Sequence, residues 1–225
     1  MFKGLITVTM VIRTVGGGGR QLGATHSQSP EVVFAHFPGL KVVAPGTPAD
    51  AKGLLKAAIR DDDPVFFVEH ATLYPVRGEV PEDEDHLVPI GVSDVKRPGK
   101  DVTIVSYSKM LQVALEAANR LAGEGIEAEV IDLRTLRPLD TRAVVESVQK
   151  TNRLVVVEEG WRAYGVGAEV ASRVTELAFD HLDAPVRRVA QAEVPLPYNR
   201  RLEQLALPQV ADVIRAVKDV MYIKQ

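Results

Sequence analysis

Residues Asp101–Leu133 read DVTIVSYSKMLQVALEAANRLAGEGIEAEVIDL, and this stretch decides the fold. Val102–Ser106 is apolar at consecutive rather than alternate positions, as in a strand buried on both faces. Lys109–Glu124 changes to a helical period and is closed by Gly125; Ala128–Leu133 then returns to the strand pattern. Downstream the alternation continues with a helix at Thr141–Lys150, a strand at Leu154–Glu158 and a helix opening near Gly167. A strand at Val186–Ala190 and a last helix at Gln209–Tyr222 complete the series. Strands alternating with helices predict an α/β fold, a parallel sheet covered by helices.

Upstream, Thr7–Arg13, Lys41–Ala44 and Val65–Glu69 read as further buried strands, and the N-terminal MFKGLITVTMVIRT reads as a strand rather than a leader. A helix lies between the last two, with Thr47 as its cap and Pro48 in its first turn. Leu54, Leu55, Ala58 and Ile59 form its apolar stripe, and Asp61–Asp63 with Pro64 end it. From Leu73 to Pro98 the pattern lapses into Pro, Gly and acidic residues, notably EVPEDEDH at Glu79–His86. This predicts a connection between two units, residues 1–91 and 92–225. Three strands and one clear helix cannot cover both faces of a parallel sheet. The first unit is therefore expected to leave apolar surface exposed or covered by a partner.

The bulk numbers narrow the partners. The 225 residues are 46% hydrophobic and 25% charged with a net charge of −3, which lacks the basic footprint of a nucleic-acid binder. The apolar runs are strand-sized, well short of the roughly 20 residues of a spanning helix. Zero cysteines exclude disulfides, thiolate metal sites and cysteine nucleophiles, and suggest a cytoplasmic protein.

Several motifs carry chemical promise. Consecutive amides of the Gly16–Gly19 run, followed by RQLG, can cradle an anion. Yet no Gly-Lys-Ser/Thr follows, the G-x-G-x-x-G spacing is not met and no helix clearly opens there, so a tight backbone turn is the simpler reading. Gly165 and Gly167 suit close helix packing. His26, in GATHSQSP, follows the glycine loop at an expected sheet end and is a residue type suited to proton transfer. His36, His70, His86 and His181 carry no pattern that raises them above an ordinary imidazole. Asp61, Asp62 and Asp63 either bind a hard cation or form a solvated turn. No His-x-x-x-His, EF-hand or G-x-S-x-G motif occurs.

The wording of the chain goes further. HSQSPE from His26, PGLKVVAP from Pro38 and DAKGLLKAAIRDDDP from Asp50 resemble the pyrimidine-binding domain of 2-oxo acid dehydrogenase beta subunits. DVTIVSYS from Asp101, EVIDLRTLRPLD from Glu129, LVVVEEGW from Leu154 and GVGAE from Gly165 resemble their transketolase-type C-terminal domain. LDAPVRRV from Leu182 and EVPLPY from Glu193 extend the likeness almost to the end. RTLRPLD, VEEGW and ALPQVADVIRAVK are most similar to pyruvate dehydrogenase, with acetoin and branched-chain 2-oxo acid dehydrogenases as alternatives.

The resemblance implies thiamine diphosphate shared between subunits. An alpha subunit holds the diphosphate and magnesium, and the beta subunit receives the aminopyrimidine. It implies an alpha2beta2 assembly with a second beta subunit, and a partner in the subunit-binding domain of a dihydrolipoyl acyltransferase. His26 matches the family's active-site histidine, which assists proton transfer during acyl handover. The carbonyls of Met10, Ala58, Ile59, Asp61 and Asp63 match positions that hold a structural potassium ion. The family's cofactor-activating glutamate belongs to a segment upstream of Met1, and neither Glu31 nor Glu69 lies at its position. The resemblance therefore implies a shortened chain that decarboxylates poorly by itself, or else a non-catalytic module that docks the acyltransferase.

Overall fold

The computed structural model describes residues 7–223, so the reading of residues 1–6 as strand lies outside the described residues. The second half is built on a five-stranded sheet. β4 (Asp94–Arg97), β5 (Val102–Ser106), β6 (Ala128–Asp132), β8 (Leu154–Trp161) and β9 (Arg187–Gln191) lie in the order β4-β6-β5-β8-β9. All pair in parallel except β4, which runs antiparallel to β6. Successive side chains of β5 face opposite ways. Ile104 enters a core shared with α4 (Ser108–Ala122) and α8 (Val210–Val220). Val105 enters a core shared with α5 (Thr141–Thr151) and α6 (Val166–Ala178). Each fully buried Val or Leu in these layers contributes roughly 1.5–3 kcal/mol relative to exposure.

Caps set the helix starts. Asp140 Oδ1 accepts from the Ala143 amide at 3.2 Å to open α5. A capping box between Gln209 and Asp212 opens α8. Thr47 Oγ1 accepts from the Asp50 amide at 3.2 Å and Pro48 occupies the first turn of α3 (Pro48–Ile59), as its sequence predicts.

The first half forms a second sheet, in the order β1-β3-β2-β7. β1 (Val11–Gly16), β2 (Lys41–Val43) and β3 (Val65–His70) are parallel. β1 begins later than the expected Thr7 because its partner starts at Val65: Pro64 has no N–H for the ladder, and pairing opens at Val11↔Val65. The fourth strand is β7 (Thr135–Arg137), contributed by the second half and antiparallel to β2. Val42, Ala44 and Val68 of the first sheet share a core with Val105, Ile131 and Leu133 of the second. Part of the apolar surface expected to need a partner is thus covered within the same chain. Val15, Val33 and Phe37 stay exposed.

Four further short elements, besides β7, have no counterpart among those expected from the sequence. β4 lies within the expected connection, because DVKR carries three charges and no apolar run. Two brief helices, α1 (Gly23–His26) and α2 (Glu31–Ala35), follow the glycine loop where none was expected. α7 (Arg200–Ala206) precedes α8.

Candidate functional site

The carboxyl ends of β1, β3 and β8 bring together the glycine loop, His70 and Glu159. β1 ends at Gly16, and the chain returns at Gln28, whose carbonyl accepts from the Gly17 amide at 2.8 Å. Residues 17–28 therefore form a closed-neck loop. Within it, Gly17, Gly19, Gln21 and Gly23 have φ values of 87°, 90°, 58° and 68°. Left-handed residues alternating with ordinary ones turn successive amides inward, the geometry of an anion nest.

The anions in the nest belong to the protein. Glu159, at the end of β8, accepts from the Gly18 amide at 2.7 Å. Glu203, on α7, accepts from Gly19 at 2.9 Å and Gln21 at 3.1 Å. These amides are occupied by side chains, so the loop is both the tight turn expected of it and a cradle. Gly17 is required twice: its φ is left-handed, and a Cβ there would come within 2.1 Å of His70 Nε2. The neighbouring Glu158 points to the other face of β8. It accepts from the Gly167 amide at the start of α6 and from Arg188, at 3.0 and 2.8 Å. Burial raises its carboxyl above the usual range, opposed by those partners. A Cβ at Gly165 or Gly167 would strike this carboxylate, which is the close packing expected of these glycines.

His70 lies at the end of β3 and is buried. Its Nε2 is 2.9 Å from Glu159 Oε2, and its Nδ1 accepts from the Thr72 amide at 3.3 Å and lies 2.8 Å from Thr72 Oγ1. A ring accepting an amide at Nδ1 carries its proton at Nε2, so His70 donates to Glu159. The threonine, histidine and carboxylate have the outline of a nucleophile, base and orienter. The Thr72 amide shares Nδ1, however, and the amides beside it are filled by Glu159 and Glu203; the ring caps a turn. In the sequence His70 looks like an ordinary histidine. The available signal was its place, with Glu69, at the end of a buried strand, matched by Glu158 and Glu159 at the end of another.

His26 ends α1 and is exposed on the rim of this loop. Gln28 Nε2 donates to the Ala24 carbonyl at 2.6 Å across α1, and the Tyr198 ring lies against Gly23. Glu31, buried below, receives the Tyr107 hydroxyl at 3.0 Å. Burial pushes its carboxyl up to about 7, against its backbone bond and Tyr107. Glu69 is held by Arg13 at 2.5 Å and by the Tyr74 hydroxyl at 2.5 Å. Both carboxylates are thus committed to neighbours. A cleft of about 350 Å³ opens beside β3, walled by Leu55, Phe67 and Leu73 with Arg13, Glu69 and His70 at its polar side.

Met10 and the segment from Ala58 to Asp63 lie at the other end of the same sheet. The Val8 amide donates to the Asp62 carbonyl and the Val65 amide to the Met10 carbonyl, both at 2.9 Å, so residues 8–10 run beside the end of α3. The side chains of Asp61 and Asp63 are taken by Lys41, at 2.7 and 3.2 Å. Partial burial alone would lower the Lys41 ammonium, and these two carboxylates lift it above its ordinary value. What remains for a cation is carbonyl oxygen at a helix C-terminus, where the dipole favours positive charge. Among the described residues no three His, Cys, Asp or Glu side chains gather as a metal site.

Comparison with known proteins agrees with this architecture. The family model for the transketolase pyrimidine binding domain matches residues 1–77, and that for the transketolase C-terminal domain matches residues 91–213. The pyruvate dehydrogenase E1 component subunit beta of Rickettsia felis is 50% identical over 99% of this chain and 68% of its own length. The chain belongs to the pyruvate dehydrogenase E1 beta-subunit family. Within that family it is also 50% identical to the mitochondrial subunit beta-2 of Oryza sativa, over 99% of this chain and 60% of the relative. The beta subunit of Rhizobium meliloti is 50% identical, with 48% of its length covered. The chain thus spans about half to two thirds of the curated beta subunits it matches. A solved structure described as a split gene transketolase, inactive beta4 tetramer, superposes with a TM-score of 0.78 at 29% identity, over 100% of this chain and 71% of that one.

The family corrects the expected cytoplasmic placement. Beta subunits about half identical to this chain include mitochondrial ones from Oryza sativa, Arabidopsis thaliana and Dictyostelium discoideum beside bacterial ones. A cysteine-free composition does not separate one reducing compartment from another.

Proposed function

We propose that this chain is the beta-side component of a thiamine diphosphate-dependent pyruvate dehydrogenase (acetyl-transferring), with residues 1–91 on the pyrimidine side and 92–225 as the C-terminal domain. The observation that carries the proposal is His26: an exposed imidazole held on a closed-neck loop at the carboxyl ends of parallel strands, where ligands of open α/β sheets collect. Bound thiamine diphosphate would supply the carbanion chemistry of 2-oxo acid decarboxylation. The residues present fit one side of it. The cleft beside β3 has apolar walls suited to a ring, while the loop amides hold Glu159 and Glu203 and are not offered to a diphosphate. The diphosphate and its magnesium are therefore assigned to an alpha subunit, in an alpha2beta2 assembly that pairs two beta subunits. Glu69 and Glu31 are already engaged, so neither is assigned the activation of the ring. His26 is assigned the proton transfer that accompanies acyl handover to a lipoyl group, with the subunit-binding domain of the acyltransferase docking on the C-terminal domain. The carbonyls of Met10, Ala58, Ile59, Asp61 and Asp63 are assigned to potassium.

The test reconstitutes the chain with an alpha subunit from the same family, both as given and joined to the upstream segment of a longer relative. Pyruvate decarboxylation is then followed with an artificial electron acceptor and, separately, with a lipoyl domain. His26→Ala should depress lipoyl acetylation by at least about tenfold more than it depresses the artificial-acceptor rate. Equal loss in both assays, or none, refutes the role of His26. Absence of pyruvate turnover from the form joined to the upstream segment, as well as from the chain as given, refutes the substrate.

A further inference from the structure

The loop that carries His26 is fastened to the second half of the chain through unusual partners. Glu203 is 2% exposed and forms no ion pair among the described residues; its carboxylate is held by the Gly19 and Gln21 amides. A buried carboxylate without a cation is costly unless amides compensate it. Glu159, 6% exposed, grips the adjacent Gly18 amide. What these two groups hold is a loop of little intrinsic stability: a single helical turn, α1, far below the length at which helices stand alone. Its neck is tied by Gly17 and Gln28, and its far side is pinned by Glu203 and by Tyr198 against Gly23.

We infer that Glu203 and Glu159 are positioning residues for His26, acting through the amides of Gly18, Gly19 and Gln21. This rests on the proposed role of His26. Among the described residues neither carboxylate is hydrogen-bonded to the imidazole. Their work is to fix the course of the chain five to eight residues before it, so that the histidine is presented in one place. One clamp comes from the end of a strand and the other from a helix of the C-terminal sheet domain, so the geometry of that domain sets the reach of a histidine in the first half.

The test is hydrogen–deuterium exchange on the full chain, with carbethoxylation of His26 as a second readout. Glu203→Ala should speed exchange in residues 17–28 by about tenfold or more, while α4, in the central core, keeps its protection. It should also change the modification rate of His26 while that of the exposed His181 stays constant. Glu203→Gln keeps an acceptor oxygen and should restore both readouts to near wild type. If Glu203→Ala does not fold, Glu203→Asp, whose carboxylate is withdrawn by one methylene, carries the same comparison. Unchanged exchange in residues 17–28, a rise of equal size throughout the chain, or a Gln variant no better than the loosened one would overturn the inference. His26→Ala should leave exchange in the loop unchanged. Failure of that variant to affect lipoyl acetylation would count against the role of His26 and not against the clamp.

Discussion

His70 donates from Nε2 to the carboxylate of Glu159 at 2.9 Å, and the same carboxylate accepts from the Gly18 amide at 2.7 Å. Two elements from the first half thus meet one side chain of the second in a buried place. Deleting the ring leaves a buried carboxylate short of a donor. His70→Ala is expected to destabilise the protein by about 1–3 kcal/mol, measured by urea unfolding. Gly17→Ala should cost at least as much, since it adds a Cβ where the ring lies and at a left-handed φ. Wild-type stability in both would remove the structural role given to this contact.

The titration of Asp132 gives a pH signature. This residue closes β6, is fully buried, and one of its oxygens, Oδ2, has no partner among the described residues. Burial pushes its carboxyl up to about 7 from an ordinary 3.8, with the Arg134 amide opposing, Asp50 adding, and Lys96 and Arg134 opposing. Between those values the folded state keeps a proton that the unfolded chain has released. Its contribution is therefore fully present below about pH 4 and is lost as pH rises through 7. Asp132→Asn stays neutral throughout. Its stability relative to wild type should improve by about 1–3 kcal/mol between pH 5 and pH 8. Glu31 titrates alike in both proteins and cancels. Parallel stability curves would contradict the buried, protonated acid.

Potassium binding has a thermal signature. Carbonyls of Met10, Ala58, Ile59, Asp61 and Asp63 would favour a weakly hydrated ion of fitting size, so the melting temperature should rise by a few degrees or more in potassium chloride over tetramethylammonium chloride at equal ionic strength. Lys41→Met frees Asp61 and Asp63 and should lower stability by about 1 kcal/mol in the organic salt. Identical melting in the two salts would end the potassium assignment.

Unfolding should be a single event. β7 pairs with β2, and Val42, Ala44 and Val68 share a core with Val105, Ile131 and Leu133. Fluorescence of Trp161, the one tryptophan, reports the second half. Exchange of the β3 amides reports the first. Their denaturant midpoints should coincide; two separated midpoints would mean the halves are independent.

Strands buried on both faces were legible because they are apolar without a break, as at Val102–Ser106, and the helix from Pro48 because Thr47 and Pro48 announce its start. Thr135–Arg137 is three residues long and gains its meaning from pairing with Val42 and Val43. Asp94–Arg97 is charged because it lies at a sheet edge. The site was less legible for a related reason. Local words draw attention to His26 and the glycine loop, but the partners of that loop lie 141 and 184 residues downstream. His70 is 89 residues from Glu159, and nothing in VEHATLY distinguishes a buried, hydrogen-bonded ring from a solvated one.

The strand that crosses from one half to the other has a practical corollary. The acidic stretch Glu79–Asp85 is exposed along its length, which makes it a natural place for a protease to cut. Since β7 would still be laced into the first sheet, the two fragments should migrate together on a native gel and part only in denaturant. Two separately made pieces should likewise find each other.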